Sequence, residues 1–363
     1  MVHFAEVAKT AAREAGFDLC GVAAIDEAAM RELTHFPAWV SSGYAGEMEY
    51  LKTRDAGGTF NRARPRSTAP WARSVVVCAM NYDTEQPYST EAKDSTRGWV
   101  ARYAWSKQDY HDVLISKLRQ VEAKLSSAAQ DAGVSQITTR CYVDTGPHIE
   151  RVYAKYAGIG WIGKNTCILN EKLGSWIFLG VILTSLEMAV DAPAADRCGT
   201  CTRCIDACPT QALLEPYKLD ATQCISYLTI EKRGAIPEDL RGSVGNHIFG
   251  CDICQDVCPW NDPRKTAKER EPFATAAELQ PRAELVNPRL DWLAHMGREE
   301  FQKTFKGSPV KRAKYSGLRR NVAVAMGNSQ RPEFTSSLEK LASDEDEMVA
   351  QHARWALARL KEN

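Results

Sequence analysis

The sequence predicts an α+β multidomain chain in three parts: an N-terminal α/β domain over residues 1–190, a cysteine-rich module over 191–262 and a C-terminal helical-repeat segment over 263–363. Three observations predict it. Helix and strand periodicities alternate up to about residue 190. Eight of the twelve cysteines fall between Cys198 and Cys258, and from about Leu285 onward the apolar spacing is helical. At 363 residues the chain is long enough for two or three units that each bury a core.

Phe4, Val7, Ala8, Ala11, Ala12 and Ala15 recur at helical spacing and stop at Gly16, and the apolar run 19–24 reads as a strand. Residues 74–80 predict a buried strand. Leu114, Leu118, Val121 and Leu125 mark one face of a helix over about 110–132 that ends before Gly133. Residues 137–143 predict another strand, which runs into Asp144-Thr145-Gly146-Pro147, where Pro147 suits the first turn of a following helix. Residues 166–169 and 175–184 flank a short glycine-containing turn and are expected to pair as a hairpin. Residues 189–196 form a linker of small side chains with Pro193, and 263–281 read as a connecting segment. Leu318, Val322 and Ala325 share one helical face, as do Val349, Ala353, Ala356 and Leu360. This pattern resembles a HEAT-like repeat, too short to stand alone and therefore expected to pack on the other parts.

Apolar residues at 44% and charged residues at 25% are ordinary for a globular protein, and no apolar run approaches the roughly 18–20 residues of a membrane span. The N-terminus has neither an apolar signal core nor a twin-arginine segment. The expectation is a cytoplasmic protein without membrane contact, a monomer in the simplest case. Zero net charge excludes a uniformly basic nucleic-acid binder, yet the charge is uneven. Between Phe301 and Pro332 there are eight basic residues, Lys303, Lys306, Lys311, Arg312, Lys314, Arg319, Arg320 and Arg331, and no acidic ones. A local field of that sign suits phosphate contact, and Lys232 and Arg233 extend it.

Twelve cysteines in a cytosolic-looking chain point to metal more than to disulfides. The run Cys198-x-x-Cys201-x-x-Cys204-x-x-x-Cys208-Pro209 is followed by Cys224 and then Cys251-x-x-Cys254-x-x-x-Cys258-Pro259. In the bacterial-ferredoxin pattern three close thiolates ligate one four-iron cluster and the Cys before Pro ligates the other. That rule gives a bacterial-ferredoxin-like module with two 4Fe-4S clusters, the first on Cys198, Cys201, Cys204 and Cys258, the second on Cys208, Cys224, Cys251 and Cys254. Cys224 supplies the ligand missing from the shortened second triplet. Four-thiolate zinc also uses C-x-x-C pairs, but the two Cys-Pro endings and the interlocked spacing favour iron. Cys20, Cys78, Cys141 and Cys167 lie in apolar or strand-like stretches and read as small buried hydrophobes.

Five segments together resemble the epoxyqueuosine reductase family: Arg102-Tyr103-Ala104-Trp105 with Asp109-Tyr110-His111, Val143-Asp144-Thr145-Gly146-Pro147, Gly158-Ile159-Gly160-Trp161-Ile162-Gly163-Lys164-Asn165, Cys224-Ile225-Ser226-Tyr227-Leu228-Thr229, and Gly317-Leu318-Arg319-Arg320-Asn321. The likeness covers essentially the whole chain. It implies reduction of epoxyqueuosine to queuosine at the wobble position of tRNA, with cobalamin and two four-iron clusters, in a fold related to reductive dehalogenases. It also implies an external electron donor of flavodoxin or ferredoxin type. The N-terminal domain then becomes a cobalamin-binding domain and the helical tail a tRNA contact. By local alignment the cobalamin pocket would include Arg62, Ala101, Asp144, Ile168, Leu179, Ser226, Asp252 and Ile253. Asp109-Tyr110-His111 opens the D-x-H-x-x-G pattern of other corrinoid proteins, but Leu114 stands at its glycine position and the stretch reads as a helix start.

Opening an epoxide places charge on oxygen, so a general acid is needed, and Asp144 is the candidate. It ends an apolar strand, where partial burial would favour its protonated form. The competing reading makes Asp144 a cap for the helix near Pro147. A dehalogenase-like corrinoid enzyme and a non-catalytic ferredoxin-type carrier are the rival functions. The missing export signal and basic tail speak against the first, and the large α/β domain against the second.

Overall fold

The computed structural model describes residues 3–26, 28–134, 136–262 and 276–361. The expected connecting segment 263–281 therefore lies, up to residue 275, outside the described residues. Four strands form the central sheet in the order Leu19–Ala24, Ser74–Asn81, Ile177–Thr184, Thr139–Tyr142, and all neighbours are antiparallel. The alternation of helix and strand thus builds an α+β layer and not a parallel α/β sheet. Helices Phe4–Glu14 and Tyr110–Asp131 cover one face through Ala8, Ala12, Leu114 and Leu118. Helix Glu150–Tyr156 covers the other through Val152, Tyr153 and Ala154. Gly180 lies mid-strand because Leu118 packs so close that a Cβ there would stand 2.8 Å from its Cδ1.

Two local expectations change. Ile168–Leu169 pairs with Trp161–Ile162, not with Ile177–Thr184. The latter strand is already bonded on both sides, and only an isolated Asn170–Gly174 bridge spans the turn. The helix after Pro147 begins later, at Glu150, with Ile149 before its first turn. Asp144 consequently does not cap it, and Pro147 lies outside its first turn.

The cysteine-rich segment folds around short helices, Arg203–Asp206, Ile225–Ile230 and Ile253–Asp256. Strand His247–Phe249 pairs in parallel with Trp99–Val100, so residues 99–105 share one core with Leu285, Leu318, Val322, Val349 and Ala353. Both apolar faces read from the tail enter that core, and helix Lys314–Ser329 lies at its centre. Among the described residues no helix is long and apolar enough to cross a membrane.

Arg320 and Asn321 tie the tail to the cysteine module. Arg320 is only 1% exposed, and its guanidinium donates to the carbonyls of Leu228, Lys232 and Gly234 at 2.6–2.9 Å. The Asn321 amide donates to Thr229 and Ile248 carbonyls, both at 2.8 Å. Arg319 pairs with Asp344. The phosphate-contact reading of these two arginines is therefore corrected: one is a buried clamp, the other an intramolecular ion pair. Arg320→Ala strands three carbonyls and should cost about 3 kcal/mol. Chemical denaturation should show a lowered midpoint, while the salt dependence of RNA binding by the folded fraction stays as in the parent.

Candidate active site and cluster centre

The eight module cysteines stand in two groups. Cys198, Cys201, Cys204 and Cys258 line one pocket together with Lys164, Asn165 and Trp260. Burial raises the Cys204 and Cys258 thiols, the latter to about 12, and in both the charges of other members of that set add to the effect. Cys224, Cys251 and Cys254 are likewise pushed up. Burial leads for the first two and a hydrogen bond with Cys167 for the third. The thiols charging one another here are Cys208, Cys224 and Cys251, so the four fall into one set. Thiols crowded this way resist ionising alone, and iron in a cluster supplies the positive charge that makes four thiolates tolerable. Among the described residues no three Cys, His, Asp or Glu side chains meet at the spacing of a single metal ion.

The Gly158–Asn165 motif turns out to be the scaffold of these loops. Lys164 Nζ donates to the carbonyls of Gly199 and Cys201 at 2.7 and 3.0 Å, and Asn165 Nδ2 donates to Cys254 O at 3.2 Å. One dipeptide thus holds a ligand loop of each set. Cys167 departs from the bland expectation. Its thiol hydrogen-bonds Cys254, which lowers its own pKa, so it sits against a module cysteine and is not merely core filling. Cys78 and Cys141 are buried as expected; Cys20 is half-buried, 3.9 Å from Cys78.

Asp144 stands just beyond the Thr139–Tyr142 strand with φ 57°, a left-handed conformation that Asp tolerates better than most residues. Its side chain is 71% exposed, so the burial expected from the apolar strand is absent. Helix Tyr110–Asp131 delivers two partners to it. Tyr110 Oη donates to Asp144 Oδ2 at 3.0 Å, and His111 Nε2 lies 4.0 Å from the same oxygen. Burial, then the Asp144 charge, pushes the Tyr110 hydroxyl up, so it stays a donor. Asp109 caps the helix through His111 N and meets His111 Nδ1 at 2.7 Å. Burial raises the Asp109 carboxyl, but those His111 hydrogen bonds outweigh it and hold the group low. An ionised carboxylate only accepts, so Nδ1 carries the proton and Nε2 faces Asp144. Glu150 is buried nearby, lifted to about 7 by burial and by the charge of Asp144. Sequence reasoning missed Tyr110, His111 and Glu150 as site residues. The signal was present in the Asp109-Tyr110-His111 motif, but only the fold brings it to the Asp144 turn.

The remaining pocket candidates fall on two sides. On the sheet side, Leu179 is partly exposed on a strand that is paired along both edges, with Ile168 in the same cluster. Arg62 is 8% exposed, donates to His148 O at 2.5 Å and keeps a buried Nε without a partner. On the module side, Asp252 is 2% exposed and accepts from Trp99 Nε1 and Arg102 N at 2.9 and 2.8 Å, which brings it beside Ala101. Ser226 and Ile253 are half-buried, the first two residues past Cys224 and the second directly after Asp252. Tyr103 joins the two sides: its ring meets Tyr110 and Phe249, each at 6.0 Å, and the charges of Asp144 and Asp252 both reach it.

Comparison with known proteins decides what this arrangement belongs to. A family model described as "Epoxyqueuosine reductase QueG, DUF1730" matches residues 62–145, and one described as "4Fe-4S double cluster binding domain" matches 197–261. An epoxyqueuosine reductase of Xanthomonas campestris pv. campestris is 39% identical over 355 residues, covering 96% of this chain and 94% of that protein. The chain belongs to the epoxyqueuosine reductase family. The Escherichia coli epoxyqueuosine reductase is 38% identical over 88% of this chain and 80% of its own. A crystal structure of an epoxyqueuosine reductase with an epoxyqueuosine-modified tRNA-Tyr stem loop superposes with a TM-score of 0.83 at 30% identity, covering 98% and 89% of the two chains. Another, from Bacillus subtilis, has its catalytic loop swung out of the active site and superposes equally well, at 0.83. As an oxidoreductase of this family the chain carries the double-cluster iron-sulfur domain. If Cys224 completes the second cluster, Cys224→Ser should halve reconstituted iron from about eight to about four per chain. Electron paramagnetic resonance should then retain the signal of one cluster only.

Proposed function

We propose that this protein reduces epoxyqueuosine to queuosine at the wobble position of tRNA, the last step in making that base. The observation that carries the reading is Asp144, held by Tyr110 and His111 at an open turn beside the cluster module, within a chain of this family. The domain roles follow: residues 1–190 for cofactor and catalysis, 191–262 for the clusters, and 263–363, HEAT-like, for tRNA contact. The monomeric protein works in the cytoplasm, fed by a flavodoxin or ferredoxin type donor.

The residues between sheet and module fit cobalamin. Leu179 presents apolar surface that calls for a cover, and the buried Arg62 Nε calls for an acceptor. Arg62, Ile168 and Leu179 would hold it from the sheet, and Ala101, Ser226, Asp252 and Ile253 from the module. When bound, cobalamin supplies a reduced cobalt that can act on an epoxide carbon as nucleophile or one-electron donor, while the clusters pass electrons singly.

The chain's own part is proton delivery. Asp144 donates to the oxygen released as the ring opens, and Tyr110 and His111 orient its carboxyl. Glu150, half-protonated near neutral pH, keeps a second acidic proton close by. Anaerobic reconstitution with iron, sulfide and cobalamin, followed by reductive assay on epoxyqueuosine tRNA, should remove one oxygen from the nucleoside; an unchanged nucleoside mass would sink the assignment. Asp144→Asn should lower turnover about a hundred- to ten-thousand-fold with cluster and cobalamin absorbance intact.

Lys303, Lys306 and Lys314 are exposed on the basic run and Lys311 half-exposed, so they take over the phosphate role that Arg319 and Arg320 lose. Neutralising Lys311 and Lys314 together should reduce the slope of log affinity against log salt by about 1.5. Equal slopes would remove the tail from the RNA contact.

A further inference from the structure

Four large apolar side chains stand exposed among the described residues, Tyr50, Val190, Leu214 and Tyr217, and of the two tyrosines it is Tyr50 that the charge of Asp144 reaches. It lies on the short turn Glu49–Leu51 and is 44% exposed. Its hydroxyl donates only to Met48 Sδ, at 3.3 Å, so its ring and not its oxygen is the feature on offer. Three parts of the chain converge there. Arg62 places its guanidinium carbon 5.7 Å from the ring centre, and Arg312, from the basic run, places its own at 5.1 Å. Arg54 over Phe60, by contrast, sits at 3.5 Å, so the two guanidiniums stand over the Tyr50 ring at a looser range than a close stack. Arg312 is held by Glu231, which follows the helix that begins beside Cys224, and Arg233 donates to Arg312 O at 2.8 Å. The charge of Arg312 reaches both Tyr50 and Asp144.

An exposed ring that costs apolar surface, with planar cations held loosely beside it and the Asp144 carboxyl within electrostatic reach, has the makings of a stacking platform for a nucleobase. A purely structural tyrosine would bury its ring or bond its hydroxyl to the fold. Building on the tRNA reading above, we propose that Tyr50 stacks on a base of the anticodon loop, with Arg312 beside the ring, and so sets the position from which the modified base reaches Asp144. The platform is tolerant of base identity, since any base offers a π-face. It positions substrate and takes no part in proton transfer.

The test is binding of an epoxyqueuosine-bearing anticodon stem loop to the reconstituted full chain, followed by fluorescence anisotropy. Tyr50→Leu keeps apolar bulk without the π-face and should weaken binding about ten- to a hundred-fold, while Tyr50→Phe stays within a few-fold of the parent. KM should rise with kcat nearly constant. In Tyr50→Trp the indole emission should be quenched by the stem loop at the concentrations that give half-maximal binding. Cluster absorbance of each variant reports its folding. Parent-like affinity in Tyr50→Leu, or no quenching in Tyr50→Trp, overturns the platform and leaves the tRNA reading standing. Failure of the parent itself to bind the stem loop overturns both.

Discussion

The arrangement depends on a buried polar line from sheet to module. Asp83, just past the Ser74–Asn81 strand, pairs with Arg102 at 3.3 Å where both side chains are almost fully buried. Arg102 also donates to Thr84 Oγ1 and to the carbonyls of Thr84, Gln86 and Pro87. Its backbone N–H donates to Asp252, one residue past Cys251. Burial raises the Asp252 carboxyl, and the bonds from Arg102 and Trp99 oppose that rise. Breaking one partner of such a buried pair costs about 3–5 kcal/mol, because the other charge is left without compensation. The loop of Cys251 and Cys254 is thus fixed to the central sheet, whose edge strand leads into the Asp144 turn.

The same economy governs the cluster loops. Ligand loops are short and rich in thiols, so they have little apolar surface with which to order themselves. Lys164 and Asn165 supply the order through carbonyls of both sets, and Arg320 with Asn321 does so behind Cys224. Each of these side chains bonds backbone, which fixes the path of the loop and leaves the thiols free to face iron.

How much could be read in advance follows from the range of each signal. The helices at Phe4–Glu14 and Tyr110–Asp131 and the two long strands are local periodicities, and they fell close to where the sequence places them. The double-cluster domain was legible because the C-x-x-C spacing that marks it is itself local. Pairing is not local, which is why the proximity of Ile168–Leu169 to Ile177–Thr184 suggested a hairpin while the actual partner was Trp161–Ile162. Charge misled in the same way. Arg319 and Arg320 look like their basic neighbours in sequence, and only the carbonyls of residues 228–234 and Asp344 reveal that they turn inward.

Two aspartates show how environment, and not residue type, assigns the chemistry. Asp252 is almost fully buried and accepts two hydrogen bonds from rigid donors, a setting that makes it a fixed acceptor joining parts of the fold. Asp144 sits on a left-handed turn, 71% exposed, with one firm donor in Tyr110 and a second ring nitrogen at 4.0 Å. A carboxyl that must give up a proton and regain one needs access to solvent or substrate and partners that orient it without locking it. Exposure leaves the Asp144 carboxyl open to solvent, and Tyr110 with the His111–Asp109 pair orients it on its turn without enclosing it, whereas Asp252 is closed in on every side by the fold it joins.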